Sequence, residues 1–135
     1  MTIDQLQHQI ADYCATRPEI VACYLYGSRA TGKDRPGSDV DLAFLLDRSV
    51  ASDEYYNLKM SYCAGLGELL RLDIHPLIMN TASEVVLEKV FRSGTIVYGA
   101  DSLEFKQFKM YRCVQIAAFN DYMSILTTQK TVSYQ

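Results

Sequence analysis

The stretch GSRATGKDRPGSDVDL, residues 27–42, decides how the rest of the sequence is interpreted. It begins with a Gly-Ser pair, continues through ten mostly polar residues and ends in an Asp-Val-Asp that leads into an apolar run. Gly32, Pro36 and Gly37 keep the middle of the stretch from forming regular structure. The stretch therefore predicts a loop between two strands, with a phosphate-binding turn at one end and metal-binding acids at the other.

Apolar, β-rich runs on both sides of this loop predict strands. IVACYLYGS ends at Gly27, and DVDLAFLLD covers residues 39–47. Later runs predict a third strand at residues 70–79, LRLDIHPLIM, and a short fourth strand at residues 95–99, TIVYG.

Apolar residues at helical spacing predict helices at residues 3–16, from 53 to about 70, from 83 to 92 and from 101 to about 126. Ser83 caps the third of these helices and Gly94 ends it. Residues 127–135 carry no pattern and predict a frayed tail. The fold class that follows is α/β (α+β), one domain over residues 1–135, with helices covering one face of a small sheet and a long C-terminal helix.

The long helix has an apolar face, which we interpret as core because the small sheet needs cover; binding of a partner stays open as the alternative. Its members are Phe105, Phe108, Tyr111, Val114, Ala118, Tyr122 and Ile125.

Composition excludes several classes of protein. The 13 basic and 16 acidic residues give a net charge of −3, which argues against general nucleic-acid binding. The four cysteines are widely spread without a C-x-x-C pair, so neither a disulfide framework nor a cysteine metal site is expected. Neither a signal peptide nor an apolar run long enough to span a bilayer is visible. We expect a cytoplasmic protein that does not bind membranes.

Three acids are candidates for metal binding. Side chains alternate along a strand, so Asp39 and Asp41 project from the same face while Val40 and Leu42 point into the core. Two carboxylates this close repel each other unless a cation lies between them, and oxygen ligands of this kind suit Mg²⁺. Asp73, on the third strand, faces away from the core and offers a matching acid for a second ion. His75 falls on the same face as Asp73, and we interpret it as a bystander.

The Gly-Ser pair is the candidate phosphate site. Backbone N–H groups at the start of a turn or helix bind phosphate oxygens, and glycine lets a phosphate come close. Gly27, Ser28, Arg29 and Ser38 are the candidate nucleotide-binding residues, while Lys33 and Arg35 add basic charge to the loop. Each feature alone has a simpler reading, as a turn, a solvated strand end or a surface acid; their joint occurrence in this order favours a site.

These residues resemble the nucleotidyltransferase signature of the DNA polymerase β superfamily: Gly-Ser, ten residues, Asp-x-Asp, and a later acid with apolar neighbours. The run YGSRATGKDRPGSDVDLAFLLD is similar to the minimal nucleotidyltransferases, the antitoxin halves of bacterial toxin–antitoxin pairs. The signature covers residues 24–47 and Asp73, about a fifth of the chain. The resemblance implies the nucleotidyltransferase fold, with a small mixed sheet that carries the active-site strands.

The resemblance also implies an activity. An enzyme of this kind uses ATP and Mg²⁺, with two ions expected, to transfer AMP to a hydroxyl group, usually that of a tyrosine of a cognate HEPN-type ribonuclease toxin. Gly27 and Ser28 would hold the phosphates, and Asp39, Asp41 and Asp73 would bind the metal. Two alternatives remain: an antitoxin that neutralises by binding alone, and a transferase that modifies a small molecule such as an aminoglycoside.

Overall fold

The computed structural model describes residues 1–31 and 39–133. In this part of the chain one four-stranded sheet has the strand order β3-β2-β1-β4. The strands are β1 (Ile20–Tyr26), β2 (Val40–Leu46), β3 (Ile74–Ile78) and β4 (Thr95–Tyr98). The helices are α1 (Ile3–Ala15), α2 (Ser28–Thr31), α3 (Tyr55–Leu70), α4 (Glu84–Ser93) and α5 (Leu103–Ser133). The predicted alternation of strands and helices is confirmed.

The sheet is mixed, as the resemblance implied. Strand β1 pairs antiparallel with both β2 and β4, whereas β2 and β3 run parallel. The C-terminal end of β1 and the beginnings of β2 and β3 therefore lie side by side at one end of the sheet. In the register, Tyr26 stands opposite Asp41, and Asp41 stands opposite His75.

Helices cover both faces of this sheet, so the expectation that they pack on one face is wrong. One face buries residues of α1 and α3 against Cys23, Leu25 and the alternate residues of β2 that begin at Val40. The other buries residues of α4 and α5 against Ala22, Tyr24, Ala43 and Leu45. The physical reason is that both sets of alternate residues in β1 and β2 are apolar, and each needs to be covered.

The third strand begins later than predicted. Helix α3 continues through Leu70, and Arg71 then adopts a left-handed conformation with φ of 58° that ends the helix. The strand starts only at Ile74, so Asp73 precedes it. Helix α4 agrees with the prediction: the Ser83 side chain accepts a hydrogen bond from the backbone of Val86, and Gly94 follows the last turn.

Helix α5 differs from the prediction in two respects. It continues to Ser133, beyond the expected end near Leu126, and residues 134 and 135 lie outside the described part. The packed side of the helix includes Phe105 and Ile116, which are buried, and Phe108, which lies against the core. Of the residues interpreted as core, Tyr111, Val114, Tyr122 and Ile125 are exposed. The helix is roughly 46 Å long at 1.5 Å per residue, so it extends past the sheet that it was expected to cover.

The sequence predicted neither a disulfide framework nor a membrane-spanning segment. The four cysteines are free thiols; Cys14 and Cys23 are buried, whereas Cys113 is exposed. Within residues 1–31 and 39–133, none of the helices combines the length and the apolar character that crossing a bilayer requires.

Candidate functional site

The turn after β1 brings Gly27 against an acid of β2. Gly27 has φ of +74°, a conformation that costs a residue with a side chain about 1–2 kcal/mol. A Cβ atom at this position would also overlap Oδ2 of Asp41. Glycine is therefore required at this position for two reasons: the backbone conformation and the closeness of the Asp41 carboxylate.

Asp39 and Asp41 converge on one histidine. Nε2 of His75 lies 3.2 Å from Oδ2 of Asp39, and Nδ1 lies 3.8 Å from Oδ1 of Asp41. The two acids come from the beginning of β2, and His75 comes from the neighbouring position on β3. The expectation that both acids point to the same side of the sheet is confirmed.

The electrostatics of this corner disfavour a second negative charge. Burial raises the pKa of the Asp41 carboxyl group above its ordinary value, and the nearby Asp39 carboxylate raises it further. His75 and Lys89 of α4 act in the opposite direction on the same pKa. A half-buried carboxylate beside a like charge is stabilised by a bound cation.

Asp73 lies at the rim of this corner. It is exposed, and it directly precedes β3 at the level of Asp39, where its carbonyl oxygen accepts a hydrogen bond of 2.8 Å from the backbone of Val40. The side chain opposite Asp41 is that of His75. Asp73 and His75 also line a cleft of about 530 Å³ between α3 and β3, together with Arg71 and Cys63.

The remaining sequence candidates are placed only in part. Ser28 and Arg29 form the first turn of the short helix α2, directly after Gly27, and both are half-buried. Ser38, Lys33 and Arg35 lie outside the described residues.

The carboxylates of this corner fit a hard cation whose coordination shell is completed by a substrate. In residues 1–31 and 39–133, no three His, Cys, Asp or Glu side chains are arranged to hold a metal ion by themselves. Mg²⁺ is commonly bound by one or two carboxylates, with substrate phosphates and water completing its shell. Asp39 and Asp41 supply two such carboxylates, and Gly27 leaves the space in front of Asp41 free of a side chain.

Sequence reasoning missed two residues of this corner. His75 was placed on the correct face but interpreted as a bystander, although strand alternation was the signal that located it. Lys89 gave no signal in the sequence, because it is one of several charged residues on an amphipathic helix. Its influence on Asp41 arises from the packing of α4 on the sheet.

The chain is similar to solved toxin–antitoxin structures. It has a TM-score of 0.59 and 23% identity to a chain of a toxin–antitoxin complex with AMP-PNP, covering 87% of this chain and 98% of that one. It has a TM-score of 0.56 and 21% identity to a chain of the tri-AMPylated Shewanella oneidensis HEPN toxin in complex with MNT antitoxin. That match covers 90% of this chain and 99% of the other. To a chain of an MntA–HepT complex it has a TM-score of 0.55 and 21% identity. That match covers 89% of this chain and 98% of the other. At these identities the likeness shows the fold.

Among curated proteins, none matches this sequence. The sequence profile of one family matches residues 8–103, which is more than half of the chain and includes Gly27, Asp39, Asp41 and Asp73. The chain therefore belongs to the family described as Polymerase beta, Nucleotidyltransferase.

Proposed function

We propose that this protein is a Mg²⁺-dependent adenylyltransferase that acts as an antitoxin by transferring AMP from ATP to a hydroxyl group of a HEPN-type toxin. The observation that carries the proposal is the corner where Gly27 lies against Asp41 while Asp41 and Asp39 converge. The family membership supports nucleotidyl transfer, and the similar structures with AMP-PNP and with an AMPylated toxin support the nucleotide and the acceptor.

In this mechanism the acids hold the metal and the turn holds the phosphates. Asp39 and Asp41 bind Mg²⁺, with two ions expected, and the backbone of Gly27 and Ser28 binds phosphate oxygens. When bound, Mg²⁺ neutralises charge on the triphosphate and makes its phosphorus more susceptible to attack. The main contribution of the chain is positioning and electrostatic stabilisation.

The reaction joins the acceptor oxygen to the α-phosphorus of ATP and breaks the bond from that phosphorus to pyrophosphate. The acceptor hydroxyl passes its proton to solvent water as the new bond forms.

 A tyrosine hydroxyl is the proposed acceptor. The electron pair of the broken bond leaves with pyrophosphate.

Asp73 remains a predicted third metal ligand that lies nearer the acceptor, and its help in deprotonating the hydroxyl is a hypothesis. A carboxylate that binds metal has a lowered pKa and is a weak base, so the first role is the more favourable of the two. Arg29 and Ser38 remain predicted nucleotide contacts.

A partner protein and a cytoplasmic location belong to the same proposal. The partner is supported by the similar structures, which are complexes of a toxin and an antitoxin. It is also supported by helix α5, whose Met110, Tyr111, Val114 and Tyr122 are exposed. Large exposed apolar patches commonly mark protein–protein contacts.

Intact-mass spectrometry of the co-expressed HEPN-type toxin tests the proposal. The toxin is purified after expression with the native chain, with an Asp39→Asn/Asp41→Asn variant, or with an Asp4→Asn/Asp12→Asn control that changes two exposed acids of α1. We expect the toxin to gain the mass of one or more adenylyl groups with the native chain and the control, and none with the first variant.

The alternatives give different results. If the toxin is silenced without a change of mass by both the native chain and the Asp39→Asn/Asp41→Asn variant, the protein neutralises by binding and the catalytic proposal is wrong. If the native chain leaves the toxin unmodified but adenylylates an aminoglycoside, the acceptor is a small molecule.

A further inference from the structure

We propose that His75 is a positioning residue of the metal site, whose Nε2–H group holds the Asp39 carboxylate in the orientation that binds the cation. The inference rests on the proposed function and deepens it, because it assigns a role to a residue at the same corner. It starts from the position of His75 in the sheet and from its two contacts.

The register places His75 at the centre of the corner. Parallel pairing sets Asp41 opposite His75, so the imidazole projects from the same face as the two acids. Asp73 lies one pleat earlier and precedes the strand. The position on β3 opposite Asp41 is thus held by the nitrogen side chain of His75.

The distances distinguish the two ring nitrogens. Nε2 is 3.2 Å from Asp39, whereas Nδ1 is 3.8 Å from Asp41. A neutral imidazole carries one N–H group and donates from one nitrogen only. The shorter contact assigns this donor to Nε2 and makes Asp39 the partner of His75.

Ligation of the cation by His75 is the less favourable role. The described part of the chain holds no group of three His, Cys, Asp or Glu side chains arranged for a metal ion. Imidazole also suits transition metals, whereas carboxylates suit Mg²⁺ and Mn²⁺. A hydrogen bond from a neighbouring side chain to a metal-binding carboxylate orients that ligand, and loss of such a partner typically weakens metal affinity about 10–100-fold.

Direct measurement of Mn²⁺ binding tests this role without measuring catalysis. Free Mn²⁺ is followed by electron paramagnetic resonance during titration of the purified protein with AMP-PNP present, at the same pH for every variant. Binding by the nucleotide alone is measured separately. The variants are His75→Ala, His75→Gln and His75→Asn, and the matched control is His8→Ala, which changes the other histidine of the sequence, exposed on α1.

The amide variants separate the two nitrogens. The glutamine amide nitrogen lies near the position of Nε2, and the asparagine amide nitrogen lies near that of Nδ1. We expect His75→Ala to weaken Mn²⁺ binding at least about tenfold, His75→Gln to restore most of it, and His75→Asn to behave like His75→Ala. His8→Ala should bind as the native chain does.

Other outcomes overturn the inference. Unchanged or tighter binding by His75→Ala would mean that the imidazole does not support the site, and equal rescue by Asn and Gln would remove the assignment to Nε2. If the alanine variant fails to fold, the comparison of His75→Gln with His75→Asn still tests whether Nε2 supports the site. Failure of the native chain to bind Mn²⁺ with AMP-PNP would instead contradict the proposed function.

Discussion

The two ends of strand β1 differ in how their charged side chains are paired. Gly27 ends the strand at the acidic corner, where two carboxylates lie close together beside His75. Arg17 and Glu19 precede the strand at the other end, where Nε of Arg17 donates to Glu19 at 3.0 Å and the Tyr62 hydroxyl donates to the same carboxylate oxygen at 2.7 Å. We call this second group the paired end.

The consequences for the two carboxyl groups differ in sign. At the acidic corner, burial raises the pKa of Asp41 and Asp39 raises it further. At the paired end burial opposes ionisation of Glu19, but the hydrogen bonds from Tyr62 and Arg17 outweigh it, and the pKa of Glu19 is lowered. Unbalanced charge at one end is available for a ligand, whereas the satisfied charges at the other end stabilise the fold.

The largest expected effect comes from Asp41→Asn. This change removes a proposed metal ligand, so adenylyl transfer should fall at least about 100-fold, equivalent to several kcal/mol of transition-state stabilisation. The free energy of unfolding should stay the same or rise, because a half-buried charge beside Asp39 is removed. Mass spectrometry of the toxin and thermal unfolding measure the two effects.

The matched control is Asp101→Asn, at an exposed acid outside the corner. It should change neither quantity. A clear loss of stability in Asp41→Asn would show that the acidic corner stabilises the fold and would remove the contrast with the paired end.

Gly27→Ala should damage the acidic corner through the backbone. The positive φ costs about 1–2 kcal/mol of stability, and the new Cβ displaces the Asp41 carboxylate. We expect a lower unfolding temperature and a loss of transfer of about tenfold or more.

Gly67→Ala is the control, because Gly67 lies within α3 and a Cβ there meets Leu72 at an ordinary 3.4 Å. Alanine in a helix should stabilise by about 0.5–1 kcal/mol. Equal effects of the two substitutions would show that the position of Gly27 beside Asp41 is unimportant.

Tyr62→Phe should affect stability alone. It removes the hydroxyl that donates to Glu19 and leaves the ring packed against Phe44, at a centroid distance of 4.6 Å. A hydrogen bond to a charged group contributes about 1.5–3 kcal/mol, and chemical denaturation should show a loss of this size.

Transfer activity should be unchanged in Tyr62→Phe, since the paired end lies at the opposite end of β1 from the acids. Tyr56→Phe, at an exposed tyrosine of α3, controls for loss of a hydroxyl. A drop in activity that exceeds the loss of folded protein would contradict this separation of the two ends.

The smallest expected effect is on the pH dependence of stability. Because the pKa of Glu19 is lower in the folded chain than its ordinary value of 4.5, the folded state binds this proton more weakly than the unfolded state. The resulting stabilisation is present above about pH 4.5 and is lost as the pH falls toward the lowered pKa. Denaturation curves of the native chain and of Glu19→Gln should therefore converge as the pH falls below about 4.5.

The sequence predicted the acidic corner because its parts are local. The Gly-Ser turn and the Asp-Val-Asp end two β-rich runs, and alternation along β2 puts Asp39 and Asp41 on one side while Val40 enters the core. These rules depend on backbone geometry and need no distant contact. The requirement for glycine at residue 27 was expected from the approach of a phosphate, and the structure adds the approach of Asp41.

The paired end could not be predicted in the same way. Arg17 and Glu19 are neighbours in sequence, but the hydroxyl groups that complete the group, on Ser61 and Tyr62, come from α3. Such a network depends on how α3 crosses the sheet. The exposure of Tyr122 has a related origin: apolar spacing on α5 shows which residues share a face, and only packing decides how far along the helix that face is covered.

The sequence by itself determined the succession of strands and helices and the two acids that share a side of β2, because both follow from periodicity along a single element. Only the tertiary structure decided which side chain of β3 stands beside those acids. Asp73 and His75 are two residues apart and alternate to the same side, so the pattern of the strand cannot distinguish them. The choice depends on where α3 ends and on the register of β3 against β2, which is set by contacts between distant parts of the chain.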